Sequence, residues 1–223
     1  GFPALVSVGP WDSRATRARL DLGPRAESGT GALAGDPLLT RAGAELLLAG
    51  QGLPGRALFV MREAALVSRV RQAFGLEAIR GGWSRYAESL WLETQTGAAR
   101  DSLERAHRRL ERERLARSIA ELMPRVEGAS VEATSRWLES AAALAPDDAR
   151  RAANQALAMP RWMASTLALW AFRALRLEAE RRNGPGFPHG AFHDAVIAQG
   201  ALPLAWTRDF VLRERPARRS RRP

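Results

Sequence analysis

The chain has 223 residues, of which 46% are hydrophobic, so it can bury a sizeable core and is not expected to be disordered as a whole. It contains no cysteine, which excludes disulfides, thiolate metal sites and a cysteine nucleophile. The formal net charge is +10, and every basic residue other than histidine is an arginine.

The first 35 residues differ in pattern from the rest of the chain. Two short runs that are apolar or alternate in polarity, ALVSV at 4–8 and ARLDL at 18–22, flank the turn sequence GPWDS. A loop rich in glycine, alanine and serine follows them. The pattern predicts a small β-hairpin or strand pair, followed by a loop, over residues 1–35.

Residues 36–212 have the pattern of a helical domain. Asp36 and Pro37 form a typical helix-starting pair, and glycines or prolines separate most of the later apolar stripes. The predicted helices cover about 36–49, 56–74, 82–93, 99–123, 130–144, 145–159, 160–182, 191–200 and 203–212. The predicted fold class is therefore mainly α, with a small β element near the N-terminus.

The last eleven residues, RERPARRSRRP, hold six arginines and one glutamate, which is half of the net charge. We predict a disordered basic tail over 213–223. Such a tail can contact nucleic acid or an anionic membrane surface, but a solvated tail without a specific partner is the preferred interpretation. No apolar run reaches the roughly 18 residues that a membrane span needs, so none is predicted.

Common catalytic motifs are absent from the sequence, including H-E-x-x-H, G-x-S-x-G and the Walker loop. His107 lies among arginines and is predicted to be a surface residue. His189 and His193 are four residues apart, a spacing that can bind a metal on a helix, but the helix is predicted to start after His189. We therefore predict no catalytic residue and no metal ligand.

Several aromatic residues recur at helical spacing in the predicted helices. They are Trp83, Tyr86, Trp91, Trp162 and Trp170. An exposed aromatic surface and a packed core are both compatible with this spacing, and core packing is the preferred interpretation.

One segment breaks an otherwise apolar helical stretch without offering any catalytic group. Three glycines and a proline lie between Gly50 and Gly55, within the sequence LLLAGQGLPGRALF at 46–59. On its own, this segment indicates only a loop that joins two helices.

Four segments together resemble a bacterial family of zinc-peptidase-like proteins, long described as a domain of unknown function. They are GPWDSRATRARLDL at 9–22, GLPG at 52–55, GGWSRYAE at 81–88 and FHDAVIAQGALPLAW at 192–206. The family patterns are H-E-x-x-P-G-H-H, E-G-W-x-x-Y-x-E and F-H-D-A-x-L-x-x-G-x-L-P-L. The resemblance implies a helical, gluzincin-like fold that holds zinc. It covers the C-terminal part of a typical member, so an N-terminal helical portion is expected to be missing.

The sequence departs from these patterns where the resemblance implies zinc ligands. The remnant cleft positions are Gly50, Gln51, Arg56, Ala57, Gly81 and Glu88. Gly50 and Gln51 stand in place of His-Glu, Arg56 and Ala57 replace His-His, and Gly81 replaces the glutamate expected as the third ligand. A catalytic zinc needs about three protein ligands and a general base. Since only Glu88 remains, no cofactor is expected.

The resemblance also suggests which other side chains line the cleft. Trp83, Tyr86 and His193 are candidates, and Thr166 loosely takes the place of a tyrosine that the family carries. If Glu88 is buried there, Arg56 is its expected ion-pair partner. An internal ion pair would then replace the metal.

Three functions follow as hypotheses. The first is a catalytically inactive, metal-free relative of bacterial zinc peptidases, acting as a structural or peptide-binding module, with a peptide or a protein partner in place of the missing N-terminal region. The second is an active metallohydrolase with rebuilt ligands, including Glu88 and His193, or with a site completed by that region. The third and less favoured is an arginine-rich helical protein that binds nucleic acid. The sequence does not indicate a compartment.

Overall fold

The computed structural model describes residues 40–66 and 75–213. All regular secondary structure in these ranges is helical, with no strand, so the predicted mainly α class is confirmed. The hairpin or strand pair predicted over 1–35 and the tail predicted over 213–223 lie outside the described residues, apart from Arg213. None of the helices in these ranges is long and apolar enough to cross a membrane.

Nine α-helices follow one another along the described ranges. They are α1 (Arg41–Gln51), α2 (Arg56–Leu66), α3 (Glu77–Glu93), α4 (Gly97–Leu122), α5 (Val131–Ala142), α6 (Pro146–Ala158), α7 (Trp162–Asn183), α8 (His189–Ile197) and α9 (Leu204–Leu212). A π-helical turn, Met123–Glu127, extends α4, and a 3₁₀ turn, Gly184–Gly186, follows α7.

Several helix starts agree with the capping signals in the sequence. The hydroxyl of Ser130 accepts a hydrogen bond from the backbone N–H of Ala133 at the start of α5, as predicted. At the start of α6, Pro146 is followed by two aspartates in the first turn. One predicted start is wrong by two residues, because α8 begins at His189 rather than at residue 191.

The start of α3 was predicted too late. The helix begins at Glu77, whereas the sequence predicts a start near Gly82, in the glycine pair 81–82. These glycines lie inside the helix, where α3 packs closely against α7. A Cβ atom at Gly82 would lie 2.5 Å from the Cβ of Ala168 and 2.9 Å from backbone atoms of α7. Close helix packing, not chain reversal, accounts for glycine here.

The main hydrophobic core lies around the contact between α3 and α7, with α2 and α8 packed against it. Its largest members are Phe59, Trp83, Tyr86, Phe172 and Phe192. The prediction that the aromatic residues pack in the core is therefore right for Trp83 and Tyr86. It is wrong for Trp91 on α3 and Trp170 on α7, whose side chains are exposed.

Two smaller clusters complete the packing. One joins α1 to α4 through Leu46, Leu103 and Leu110. The other joins α4, α5 and α6 and consists almost entirely of alanines around Leu138. Small side chains allow these three helices to approach closely, so their packing depends on shape rather than on large apolar groups.

Two charged side chains near the end of α4 form hydrogen bonds with backbone groups at the ends of other helices. The buried carboxylate of Glu121 accepts hydrogen bonds from the backbone N–H groups of Arg161, Trp162 and Met163, at 2.6 to 2.9 Å. These are orphan donors of the first turn of α7, where the helix dipole favours a negative charge. Arg125 donates to the carbonyl oxygens of residues 156 and 157 at the end of α6. Both contacts fix α4 against its neighbours.

The close contact at Gly82 can be tested by adding one methyl group. We expect Gly82→Ala to lower the free energy of unfolding by about 1–3 kcal/mol, because the new Cβ meets backbone that cannot move aside easily. Urea denaturation measures the change. Gly190→Ala is the matched control, because a Cβ there meets no atom within 4 Å and alanine favours the helix. Equal stabilities of the two variants would contradict the close approach.

Candidate functional site

The remnant cleft positions Gly50, Gln51 and Glu88 lie together where α1 meets α3. Glu88 is fully buried and faces Gly50. A Cβ atom at Gly50 would lie 2.5 Å from Oε1 of Glu88, so the glutamate fills the space that a side chain at position 50 would need. The amide of Gln51 donates to the hydroxyl of Ser84 at 2.9 Å. Gly50 and Gln51 thus both lie against α3.

The carboxylate of Glu88 is bound by a guanidinium group from α4. Arg114 donates from Nη1 to Oε2 at 2.5 Å and from Nη2 to Oε1 at 2.9 Å, which is a bidentate arrangement. The side chain of Glu88 is 1% exposed and that of Arg114 is 14% exposed. Both partners are therefore shielded from water, and each one offsets the charge of the other.

The same guanidinium extends the contacts to a second acid. Arg114 donates to Glu111 at 3.0 Å, and Arg85 donates to both oxygens of Glu111 at 3.1 and 2.7 Å. Arg85 also donates to the hydroxyl of Thr166 at 2.6 Å, and that hydroxyl lies 2.8 Å from the hydroxyl of Ser118. We call this set the Glu88 cluster; it comprises Arg85, Glu88, Glu111, Arg114, Ser118 and Thr166.

The Glu88 cluster is electrically balanced, with two carboxylates and two guanidinium groups. Burial alone would raise the pKa of Glu111, but the hydrogen bonds and charges of Arg85 and Arg114 outweigh it and lower this pKa to about 2. For Arg114, burial works against the charged form, while Glu88 and Glu111 raise its pKa above the ordinary value. Glu111 and Arg114 are therefore charged near neutral pH.

His107 lies beside the Glu88 cluster and has an unsatisfied ring nitrogen. Its Nε2 atom is buried and has no hydrogen-bond partner within the described part of the chain. Burial lowers the pKa of His107, against the raising effect of Glu88 and Glu111, so the ring is neutral at pH 7. The prediction that His107 is a surface residue is wrong for this half-buried side chain.

The three groups Glu88, His107 and Glu111 each offer a ligand atom, and these atoms lie within 4.8 Å of one another. Two carboxylates and a neutral imidazole are suitable zinc ligands by type. However, both carboxylates are already bound by guanidinium groups, and the fixed charge of Arg114 lies between them. The donor set does not fit a dication unless Arg114 moves away.

The predicted ion pair between Arg56 and Glu88 is wrong. Glu88 is buried as expected, but Arg56, the first residue of α2, forms an ion pair with Glu77 at the start of α3. Glu77 and Glu88 are separated by eleven residues, or about 16 Å along the helix axis. Arg56 therefore lies at the wrong end of α3 to reach Glu88.

The remaining remnant positions do not join the Glu88 cluster. Ala57 is buried next to the turn between α1 and α2. A Cβ atom at Gly81 would lie 2.6 Å from the hydroxyl of Ser165 on α7, so this position faces α7. Thr166 is the exception among the residues that the resemblance suggested, because it bonds to Arg85 and Ser118.

The candidates Trp83, Tyr86 and His193 contact one another in the main core. The hydroxyl of Tyr86 lies 3.0 Å from Nε2 of His193, and the rings of Trp83 and His193 are 6.1 Å apart, centre to centre. Burial raises the pKa of Tyr86 to about 12. Burial, and then the charge of Arg176, lowers the pKa of His193 to about 4. Trp83 also donates to the carbonyl of Pro54, which fixes the turn between α1 and α2.

No sequence pattern directly indicates the other charged members of the Glu88 cluster. Arg85 was recoverable, because it lies three residues before Glu88 and so on the same face of α3. Glu111 and Arg114 were not, because α4 is rich in arginine and glutamate at helical spacing along its whole length. This pattern normally marks a solvated helix face.

The Glu88–Arg114 pair can be tested by removing one charge. We expect Arg114→Met to lower the free energy of unfolding by about 3–5 kcal/mol, because Glu88 is left buried without a counter-charge. Adding Glu88→Gln should recover part of this loss, which is the signature of direct coupling. Chemical denaturation of the single and double variants measures both effects. Arg108→Met removes an exposed pair with Glu104 and is the control; a loss no larger than this control's would contradict the interaction.

The low pKa of Glu111 makes stability depend on pH with a known sign. Its pKa is about 2 in the folded protein against an ordinary 4.5, so its contribution is present above pH 4.5 and is lost as the pH falls toward 2. The full contribution is on the order of 3 kcal/mol. Unfolding free energies of the wild type and of Glu111→Gln should therefore converge on acidification. A difference that stays constant down to about pH 3 would contradict this assignment.

Comparisons with known proteins give the fold and the family. No curated protein matches the chain significantly. A candidate lipoprotein of unknown function from Shewanella oneidensis has the same fold, with a TM-score of 0.77 and 19% identity over 94% of this chain and 38% of that chain. A candidate lipoprotein from Colwellia psychrerythraea gives a TM-score of 0.66 and 20% identity over 77% of this chain and 30% of that chain.

The chain thus spans less than two fifths of the length of either solved structure, and at these identities the likeness shows the fold alone. The family match runs from residue 25 to residue 211. It therefore includes the turn between α1 and α2, the Glu88 cluster and the histidines of α8. This chain belongs to the family described as "Bacterial protein of unknown function (DUF885)".

Proposed function

We propose that the chain is a catalytically inactive, metal-free relative of bacterial zinc peptidases that acts as a structural or peptide-binding module. The resemblance of its GLPG, GGWSRYAE and FHDA segments to zinc-peptidase patterns supports the relationship. The bidentate ion pair between Glu88 and Arg114 is the observation that carries the inactive assignment.

The chemistry of the cleft supports this assignment residue by residue. Gly50 has no donor atom, and the space beside it is filled by Glu88. Gln51 has nearly the shape of glutamate, but its amide cannot accept a proton from a water molecule, so it cannot act as a general base. Arg114 supplies at Glu88 the positive charge that a bound cation would otherwise supply. The cleft is thus neutral and filled by protein side chains.

A second candidate function is a metallohydrolase with a rebuilt site. The unpartnered Nε2 of His107, next to Glu88 and Glu111, is the observation that favours it. His193, which the sequence suggested for this role, is bonded to Tyr86 in the main core instead. A metal would have to displace Arg114 from both carboxylates, and the displaced guanidinium would need a new partner.

Zinc content decides between the two candidates. The full chain is purified, incubated with zinc, dialysed, and analysed for metal by mass spectrometry, while a mixture of fluorogenic peptides is assayed for hydrolysis. We expect far less than one zinc per chain and no hydrolysis above a buffer blank, because the carboxylates are held by guanidinium groups. One zinc per chain, removed by a chelator together with activity, would overturn the proposal.

Two histidine variants make the result specific to the site. In the second candidate, His107→Ala loses the zinc, whereas His189→Ala, a variant of an exposed histidine outside the Glu88 cluster, retains it. In our proposal, neither variant changes the metal content. Bound zinc that both variants retain would indicate adventitious binding elsewhere on the surface, which leaves the cleft metal-free as proposed.

A further inference from the structure

A groove with an apolar floor lies between α4, α5 and α7. Its volume is about 550 Å³, and its lining includes Trp137 of α5. Leu115 and Ile119 on α4 and Trp170 on α7 line it with exposed fractions of 37%, 46% and 50%. Large apolar side chains that are exposed together in a groove mark a site of interaction.

The rim of the groove is positively charged. Arg112 and Arg173 are exposed there; Arg173 donates to the hydroxyl of Ser89, and neither arginine has an ion-pair partner among residues 40–66 and 75–213. Arg108 lies at the same rim and pairs with Glu104 on its own helix. Of the described residues that line the groove, Glu111 is the only acid, and its oxygens are bound by Arg85 and Arg114. The groove therefore offers unneutralised positive charge above an apolar floor.

The positive rim and the apolar floor together favour some classes of binding partner over others. A second copy of the chain, placed symmetrically, would bring Arg112 and Arg173 of both copies together, and like charges at an interface are unfavourable. A nucleic acid would match the charge, but its backbone gains little from the aliphatic floor formed by Leu115 and Ile119. A peptide with large apolar residues and flanking carboxylates matches both the floor and the rim.

We propose that this groove docks an acidic amphipathic peptide, with two or three large apolar side chains on Leu115, Ile119 and Trp170 and with carboxylates against Arg112 and Arg173. Exposed tryptophan and arginine side chains are the residue types that most often dominate such interfaces. The inference gives the peptide-binding part of the proposed function a location and a peptide class, but docking on the groove does not depend on whether a cation binds near Glu88.

Two labelled peptides and the full chain test the proposal. The first probe is a helical peptide of about 16 residues with leucines at i, i+3, i+4 and i+7 and glutamates on both flanks of that stripe. The second has the same leucines with every glutamate replaced by arginine. Fluorescence anisotropy should show binding of the acidic probe alone, and added salt should weaken it, because the arginine rim is exposed.

Variants of the chain locate the binding. Combined Arg112→Glu and Arg173→Glu should raise the Kd of the acidic probe by about ten-fold or more, and Ile119→Ser should weaken it similarly. Arg150→Glu and Met159→Ser, which alter exposed residues outside the groove, should leave the Kd unchanged. Circular dichroism confirms that each variant remains folded.

Several results would overturn the proposal. They are absence of binding of the acidic probe, equal binding of the arginine probe, and binding that the groove variants leave unchanged. Tighter binding of single-stranded oligo(dT) that is lost in the double arginine variant would assign the groove to nucleic acid instead. A dimer in sedimentation that dissociates in Ile119→Ser would assign it to a second copy. Zinc content, measured on the same samples, reports on the proposed function separately.

Discussion

The buried ion pair between Glu88 and Arg114 is the interaction on which the rest of this structure depends. It lies where α1, α3 and α4 meet, and through Glu111 and Arg85 it reaches Thr166 on α7. A buried charge that loses its partner costs several kilocalories per mole, so these helices cannot slide past one another without a large penalty. We infer that the Glu88 cluster fixes the relative positions of the helices, while the apolar contacts of α3 and α7 supply most of the gain from burial.

The same ion pair links the fold to the chemistry of the cleft. The turn between α1 and α2 is held against α3 by hydrogen bonds from Trp83 and Gln51. A permanently charged guanidinium, that of Arg114, lies beside the buried carboxylate of Glu88 in this region. In our proposal, a single arginine on a distant segment of the chain takes over the electrostatic role of a cation, and the scaffold remains stable without one.

The sequence predicted the helical class and most helix positions, because caps such as Ser130 and breaks such as the GLPG segment act locally. It also predicted which remnant positions lack donor atoms, since this follows from residue type alone. The sequence did not predict contacts that depend on which of many similar residues come together in the folded protein. Arg114 is one of many arginines on α4, and only the packing of α4 against α3 distinguishes it from its exposed neighbours. Gly82 was misread for a related reason, because close helix packing and helix termination both favour glycine.

The carboxylate of Glu121 restricts how far the groove between α4 and α7 can widen when a partner binds. Glu121 belongs to α4, and its carboxylate accepts hydrogen bonds from three backbone N–H groups at the start of α7. These hydrogen bonds join the two helices that line the groove at one end. Widening the groove there would leave a buried carboxylate and three backbone N–H groups without hydrogen-bond partners. The groove is thus preorganised before a partner binds. Any conformational change on binding, with its entropic cost, must then occur in the partner. The groove should therefore select peptides by shape, and side chains too large for it should not bind.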